Sequence, residues 1–351
     1  MRPLADIARK MRAARSAFPV VILALMVASF LILPQFLGGK VNSYGVYAIL
    51  QTAADFGLIT LAIGLTMIMA EYDLSAAATY GLGALIAVKI GEHSIVLGAA
   101  MAAAIGLITG FLQGGIMARL NMTSVEVTLG GLLIITGITE VIAHNETVPF
   151  SNFTVGLNLD KQILSVFSLR SLIVIGIFVA IAAVMYFTRL GPEIRSVGGD
   201  RRSSRISGVP VKRTIAGVMA LGGACAAFGG ALDGYSVASA APNVGLEPLV
   251  FGTISAILGG VTLKGGHGNP IGILCGVLSL ATLQQTLVVI NAPAYVSGIV
   301  TGLLLVIVTL VTAPDIRELP VVRDIRRVII RRRTQAEGSQ ASIAELPTGQ
   351  G

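Results

Sequence analysis

The chain runs again and again for about 20 apolar residues without interruption, the length an α-helix needs to cross the hydrocarbon core of a bilayer. Ten such runs can be read: 18–37, 46–70, 74–90, 97–117, 125–143, 170–189, 213–233, 249–262, 268–290 and 295–313. The third and eighth are shorter than the rest. Backbone amides surrounded by lipid find partners only inside a helix or around a closed barrel. These runs are continuous rather than alternating, which argues against a barrel. Composition agrees: 54% of residues are hydrophobic and 12% charged, where a soluble domain carries about a quarter charged. The expected fold class is an all-α polytopic membrane bundle of about ten transmembrane helices.

The basic residues orient that bundle. Arg2, Arg9, Lys10, Arg12 and Arg15 precede the first run. Arg189, Arg195, Arg201, Arg202, Arg205, Lys212 and Arg213 surround the connection after the sixth, and seven arginines from Arg317 to Arg333 follow the last. Basic loops stay on the cytoplasmic side, so both termini and the connection over 190–213 are expected there. The net charge of +7 then reports topology, not nucleic-acid binding. The organisation expected is a basic cytoplasmic N-terminus over 1–17, a transmembrane domain over 18–313 and a basic, partly disordered tail over 314–351. The longest external connection, 144–169, is polar at first and apolar later, and it has room for a short helix on the outer face. An uncleaved first helix fits the N-terminus better than a signal peptide, because no small-x-small site follows it. Small residues crowd several runs, as in 217–230 (GVMALGGACAAFGG), and such residues let membrane helices approach closely.

No catalytic constellation stands out. The three histidines lack ligand spacing, Cys225 and Cys275 read as packing residues, and no phosphate-binding G-x-x-x-x-G-K-[ST] run occurs. No metal or cofactor is expected on this chain. What remains is polar residues at membrane depth: Asp55, Glu71, Asp73, Ser75, Gln113, Glu126, Gln284 and Gln285. Charges there usually face a bundle interior or an aqueous cavity. All but Asp55 are taken as candidates for lining a translocation pathway. Each also has a structural reading. Asp73 or Ser75 can cap the helix that follows, Glu126 sits near a helix start, and the glutamines can bond between helices.

The connection Gly191–Arg213 has a grammar of its own. Pro192 suits the first turn of a helix. Asp200 can cap a two-turn helix over 201–207, Gly208 can end it in the left-handed conformation, and Pro210 blocks resumption. A helix that short is marginal alone and needs a partner surface.

This connection resembles the corresponding loop of the permease subunits of ribose/xylose-type ABC sugar importers, whose pattern is roughly G-R-x-x-Y-A-x-G-G-N-x-x-A-A-x-x-S-G-I. Here it stands as Gly191 through Asp200, then Arg205-Ile206-Ser207-Gly208-Val209. Leu258-Gly259-Gly260-Val261-Thr262-Leu263-Lys264-Gly265-Gly266-His267-Gly268 is similar to the family's L-G-G-x-S-L-x-G-G-x-G, and Val127-Thr128-Leu129-Gly130 and Asp73-Leu74-Ser75 supply further matches in the same order. Several positions depart from the pattern: Ala70-Glu71-Tyr72 replaces G-G-I, Asp200 replaces Asn, Arg201–Ser204 replace the usual alanines, and Glu126 replaces an apolar residue.

The resemblance implies a non-catalytic permease in the inner membrane, paired with a second copy or a paralogue around one pathway. A periplasmic solute-binding protein would deliver a monosaccharide. A dimeric ABC ATPase, holding the ATP and Mg, would drive alternating access from the cytoplasm. It would act through Gly191, Arg195, Gly198, Gly199, Asp200, Arg205, Ile206, Ser207 and Gly208 as the coupling segment. The basic tail would lie on membrane lipid. The alternatives are an importer of another small solute (a branched-chain amino acid, a nucleoside, a polyol) or an ion-coupled secondary transporter using the carboxylates.

Overall fold

The computed structural model describes the backbone of residues 2–37 and 41–312, with side-chain surroundings over 17–36 and 41–310. The chain forms two units, Met1–Leu304 and Leu305–Gly351. Of the second, the described part is the last two turns of its helix, and the tail beyond 312 lies outside the described residues.

The first unit is helical. In chain order come α1 (Arg2–Leu37), α2 (Ser43–Ile68), α3 (Ala76–Gly91), α4 (Ile95–Leu120), α5 (Ser124–Ala143), α6 (Phe153–Leu159) and α7 (Leu169–Phe187). Then follow α8 (Leu190–Gly199), α9 (Arg201–Ile206), α10 (Val211–Ser236), α11 (Glu247–Leu258), α12 (Pro270–Val289) and α13 (Ala294–Thr312), the last continuing into the second unit. Two short strands, β1 (Val148–Pro149) and β2 (Ser239–Ala240), pair antiparallel. Each of the ten apolar runs is a helix. Among the described residues, seven helices are long and apolar enough to cross a membrane; α3 and α11 are shorter, and α13, of 19 residues, is described in full only over Ala294–Leu310. The short helix anticipated within 144–169 is α6, and the helix capped by Asp200 is α9, preceded by a separate helix α8 that begins two residues before Pro192.

Local chemistry sets the boundaries. Asn42 caps α2 by accepting from the Gly45 N–H at 3.0 Å. Asn269 caps α12 by accepting from Gly272 N–H at 2.6 Å, with Pro270 in the first turn. Thr123 and Glu126 form a reciprocal capping box at α5, and Ser168 and Ser171 do the same at α7. Asn121 and His144 end α4 and α5 in the left-handed region, which a short polar side chain tolerates.

The core lies along α2 and α10. Gly57 through Ile68 are all buried, so this part of α2 is apolar on every side, as a helix at the centre of a bundle must be. α10 packs along its length against α4, α3 and α2. Small residues make that approach possible. A Cβ built on Gly223 would fall 2.1 Å from the Gly106 carbonyl oxygen, and one on Gly106 2.2 Å from that of Gly223. Gly230 meets the Tyr80 carbonyl oxygen in the same way, at 1.9 Å. On the outside, α4 and α5 expose Leu107, Ile108, Phe111, Leu133 and Ile134, apolar surface that a bilayer covers.

Two helices are too short for a full crossing. α11 has 12 residues, about 18 Å at the helical rise, against a hydrocarbon core of about 30 Å. α3 has 16 residues. Each is preceded by a non-helical segment, 71–75 before α3 and 241–246 before α11. Irregular backbone at membrane depth is tolerated where protein buries it or where it lines a cavity. The first segment is buried against α5. The Tyr72 N–H donates to Ser124 Oγ and the Leu74 N–H to Thr128 Oγ1, each at 3.1 Å, and Thr128 also donates to the Tyr72 carbonyl. The second segment lines a cavity.

Candidate functional site

Two polar clusters stand at opposite ends of the bundle. The first gathers α8, α9, the ends of α2 and α11 and the starts of α5 and α12. Asp200 is extended, at φ −158°, and its carboxylate accepts from the Arg202 N–H at 2.8 Å and the Ser203 N–H at 3.3 Å. Ser203 Oγ adds a third bond at 2.6 Å. These bonds, the Ser203 hydroxyl foremost, hold the Asp200 carboxyl below its ordinary range. Gly208 ends the α9 segment at φ +82°. Its N–H reaches the Arg205 carbonyl at 3.1 Å and the Val209 N–H reaches Ser204 at 3.0 Å. The expected cap and stop are therefore both formed.

Glycines seat this pair of helices on the bundle. A Cβ on Gly191 would strike the Met185 carbonyl oxygen at 1.9 Å. One on Gly198 would lie 2.0 Å from the Ile68 carbonyl oxygen and 2.7 Å from the Gly266 nitrogen. The Gly266 N–H in turn donates to that same Ile68 carbonyl at 2.7 Å. The end of α2, the middle of the connector and the glycine turn before α12 thus meet backbone to backbone. Gly199 and Arg195 lie against the same turn, with Arg195 Nε buried and unpaired. Outward lie Arg202, Arg205 and Ile206 of α9 and Ser207 just after it, while Arg201 turns to Glu71. Ile206 is 80% exposed, a large apolar side chain among charges. Between α8 and α9 lies a cavity of about 330 Å³ lined by Glu193, Ser196, Asp200, Ser203, Ser204 and Ser207, among others.

The polar residues read as pathway candidates separate into several places. Glu71 is buried, at 5% exposure, and forms an ion pair with Arg201 of α9. Asp73 and Ser75 are buried together: Asp73 Oδ1 accepts from the Ser75 N–H at 2.9 Å and its hydroxyl at 2.6 Å, at the start of α3. Glu126 is exposed in the capping box of α5. Gln113 is buried in α4, its Oε1 without a partner and its amide against Gly131 of α5. Gln284 and Gln285 are half-buried in α12, which packs on α1, α2 and α11 rather than beside α4.

The second cluster centres on a residue that the sequence reading did not single out. The Arg170 side chain is 4% exposed. Its Nη1 pairs with Asp55, its Nε donates to Asp160 at 2.8 Å, and Asp233 stands 3.8 Å away. Asp160 also accepts from Ser236, and its carbonyl accepts from Tyr47 OH at 2.6 Å. Three carboxylates therefore share one guanidinium and join α2, α7 and α10. Beside them lies a cavity of about 380 Å³, lined by Asp55, Phe56, Tyr80, Asp233, Asn243 and Glu247 together with apolar residues of the 241–248 segment. The available signal was a charge inside an apolar run; it marks Arg170 and Asp233 as it marked Asp55, but it does not say that they meet.

The comparisons with known proteins fit this architecture. Residues 45–309 match the model of the family described as branched-chain amino acid transport system / permease component. The L-arabinose ABC transporter permease protein of Azospirillum brasilense is 28% identical over 84% of this chain and 86% of its own length. The galactose/methyl galactoside import permease protein of Escherichia coli K12 is 29% identical over 71% and 80%, and the ribose import permease protein of the same strain 27% over 76% and 84%. No solved structure matches the chain.

Proposed function

The chain belongs to the family of branched-chain amino acid transport system permease components, and on that footing we propose that it is the membrane subunit of an ATP-driven importer of a monosaccharide. It is a multi-pass protein of the inner membrane. The observation that carries the coupling part of this reading is the α8–α9 connector. A capped helix of six residues, with exposed basic and apolar side chains, is seated by Gly198 against the end of the core helix α2. Inward, α9 is held by α8, α10 and Glu71, which leaves its basic and apolar outer face for a partner. A cytoplasmic ATPase is that partner, and its closure on ATP pushes the connector against α2 and the glycine turn. ATP and Mg belong to that partner. A solute-binding protein outside presents the sugar at the end where α6 and the Arg170 cluster lie, and a second permease subunit completes the pathway.

The sugar is favoured over an amino acid on two grounds. The relatives named above are permeases for arabinose, galactose and ribose. The cavity beside Arg170 also offers acceptors to a sugar's hydroxyls and, among the described residues that line it, no free cation to an amino acid's carboxylate. Its Asp55, Asp233 and Glu247 are acceptors, and Arg170 is already engaged by Asp55 and Asp160, so a substrate carboxylate would enter a negative field without a free cation. Branched-chain amino acid import, which the family description names, is the second reading. A deletion strain separates them. Loss of uptake of labelled L-arabinose, D-galactose or D-ribose, with leucine uptake intact, is expected, and an ATP-hydrolysing subunit should co-purify with the tagged chain. Unchanged uptake of all three sugars would overturn the assignment.

A further inference from the structure

Glu71 and Arg201 are 130 residues apart in sequence and lie on two different functional parts. Glu71 lies in the non-helical segment between α2 and α3, and Arg201 is the first residue of α9. The carboxylate is 5% exposed, whereas the arginine side chain is 46% exposed. One end of the pair is therefore fixed in the bundle, and the other projects into the connector. The fixed end is well anchored. Glu71 N–H donates to the Thr66 carbonyl at 3.0 Å in the last turn of α2, and the next residue, Tyr72, is held by Ser124 and Thr128 of α5 and by Thr253 of α11 at 2.6 Å.

We infer that the Glu71–Arg201 ion pair is a strut that carries the movement of α9 into the α2–α3 segment and, through Tyr72, into α5 and α11. The glycine contact at Gly198 transmits compression, because two backbones in contact can only push. The ion pair adds a pull. A charge-assisted bond to a buried carboxylate resists separation, since parting would leave Glu71 uncompensated away from water. When α9 withdraws, the break before α3 follows it. Glu71 and Arg201 are on this account positioning residues for transport, not residues that touch the solute, and the pathway role expected for Glu71 gives way to a mechanical one.

The inference rests on the importer reading, and the test distinguishes the two. The permease is purified with its ATPase, reconstituted in liposomes and supplied with the solute-binding protein and labelled L-arabinose, D-galactose or D-ribose. ATP hydrolysis and sugar uptake are measured together. Glu71→Gln keeps shape and hydrogen bonding but removes the charge. Arg201→Gln alters a half-exposed side chain but leaves the buried Glu71 carboxylate without its cation, so Glu71→Gln and the double variant, which bury no unpaired charge, separate loss of the link from loss of stability. Each single variant is expected to leave co-purification and basal ATP hydrolysis in place while the uptake per ATP falls about fivefold or more, the scale of a typical coupling between sites. Arg201→Lys should recover most of it, and the double variant should be no worse than either single one, because both remove the same link. Wild-type uptake per ATP in both single variants, or losses that simply add in the double variant, would overturn the strut. Absence of ATP-dependent uptake by the wild-type complex would instead overturn the importer reading, and the strut with it.

Discussion

At the scale of single residues, the connector is a case where backbone chemistry can be separated from contact. Gly208 sits at φ +82° with open space where a Cβ would be. Any cost of replacing it is therefore conformational, about 1–2 kcal/mol for an ordinary L-residue in the left-handed region. Asparagine visits that region more readily, and β-branched residues least. Retention of the ATPase and of uptake should fall in the order Gly208, Gly208→Asn, Gly208→Ala, Gly208→Val, read by co-purification and transport on the same preparations. Equal performance of the valine and asparagine variants would show that the left-handed stop does not matter. Asp200 is complementary. Its backbone cap uses Oδ1 alone, an acceptor that asparagine also has, so Asn and Asp are interchangeable for capping the backbone, and only the Ser203 hydroxyl bond to Oδ2 needs the carboxylate. The departure at 200 therefore says little about coupling. The departures at 71 and 201 say more, because the two side chains meet.

At the scale of elements, packing between α4 and α10 is governed by where glycine is compulsory and where it is not. Gly223 faces the Gly106 carbonyl at a distance no Cβ can occupy, whereas Gly217, on the same helix, has nothing within 4 Å. Gly223→Ala must push the helices apart and should cost about 1–3 kcal/mol, as overpacking does. Gly217→Ala should be neutral or stabilising by up to about 1 kcal/mol, since alanine is the better helix former. Thermal unfolding of the two variants in detergent checks the contrast, and a common response would mean that composition, not contact, sets stability here. Helix existence was legible from run length, and the caps at Asp200 and Gly208 from residue type, because both are local properties. The small-residue run 217–230 foretold close packing, but not its partner. Helix rotation decides which glycine meets which backbone, and rotation is fixed by all neighbours at once. The same limit hid the Arg170 cluster. Asp55, Asp160, Arg170 and Asp233 come from four places in the chain, and their meeting is a product of α2, α7 and α10 docking together. The pathway candidates lie in separate places, and two of them, Asp73 and Glu126, bond backbone N–H groups at a helix start while the Ser75 hydroxyl donates to Asp73, a use that competes with function at polar residues near a helix start.

At the scale of the molecule, the two polar clusters give the bundle two chemically different ends. One end carries α8, α9 and the Glu71–Arg201 pair. The other carries α6, the β1–β2 pairing and three carboxylates around Arg170. The importer reading requires the first to face the cytoplasm, and the positions of the arginines argue the same way. Labelling decides it. Cys225 is buried and Cys275 half-buried, so alanine at both gives a background without native thiols. Leu157 of α6 is 72% exposed and Ile206 of α9 80% exposed, so a cysteine at either site is open to reagent. With a membrane-impermeant maleimide on intact spheroplasts, Leu157→Cys should react and Ile206→Cys should not. Permeabilisation should make the second reactive without changing the first. The opposite pattern would place α9 outside, where no ATP-driven subunit could reach it. An ion-coupled transporter would then be the better account of a bundle with charged groups buried at both ends.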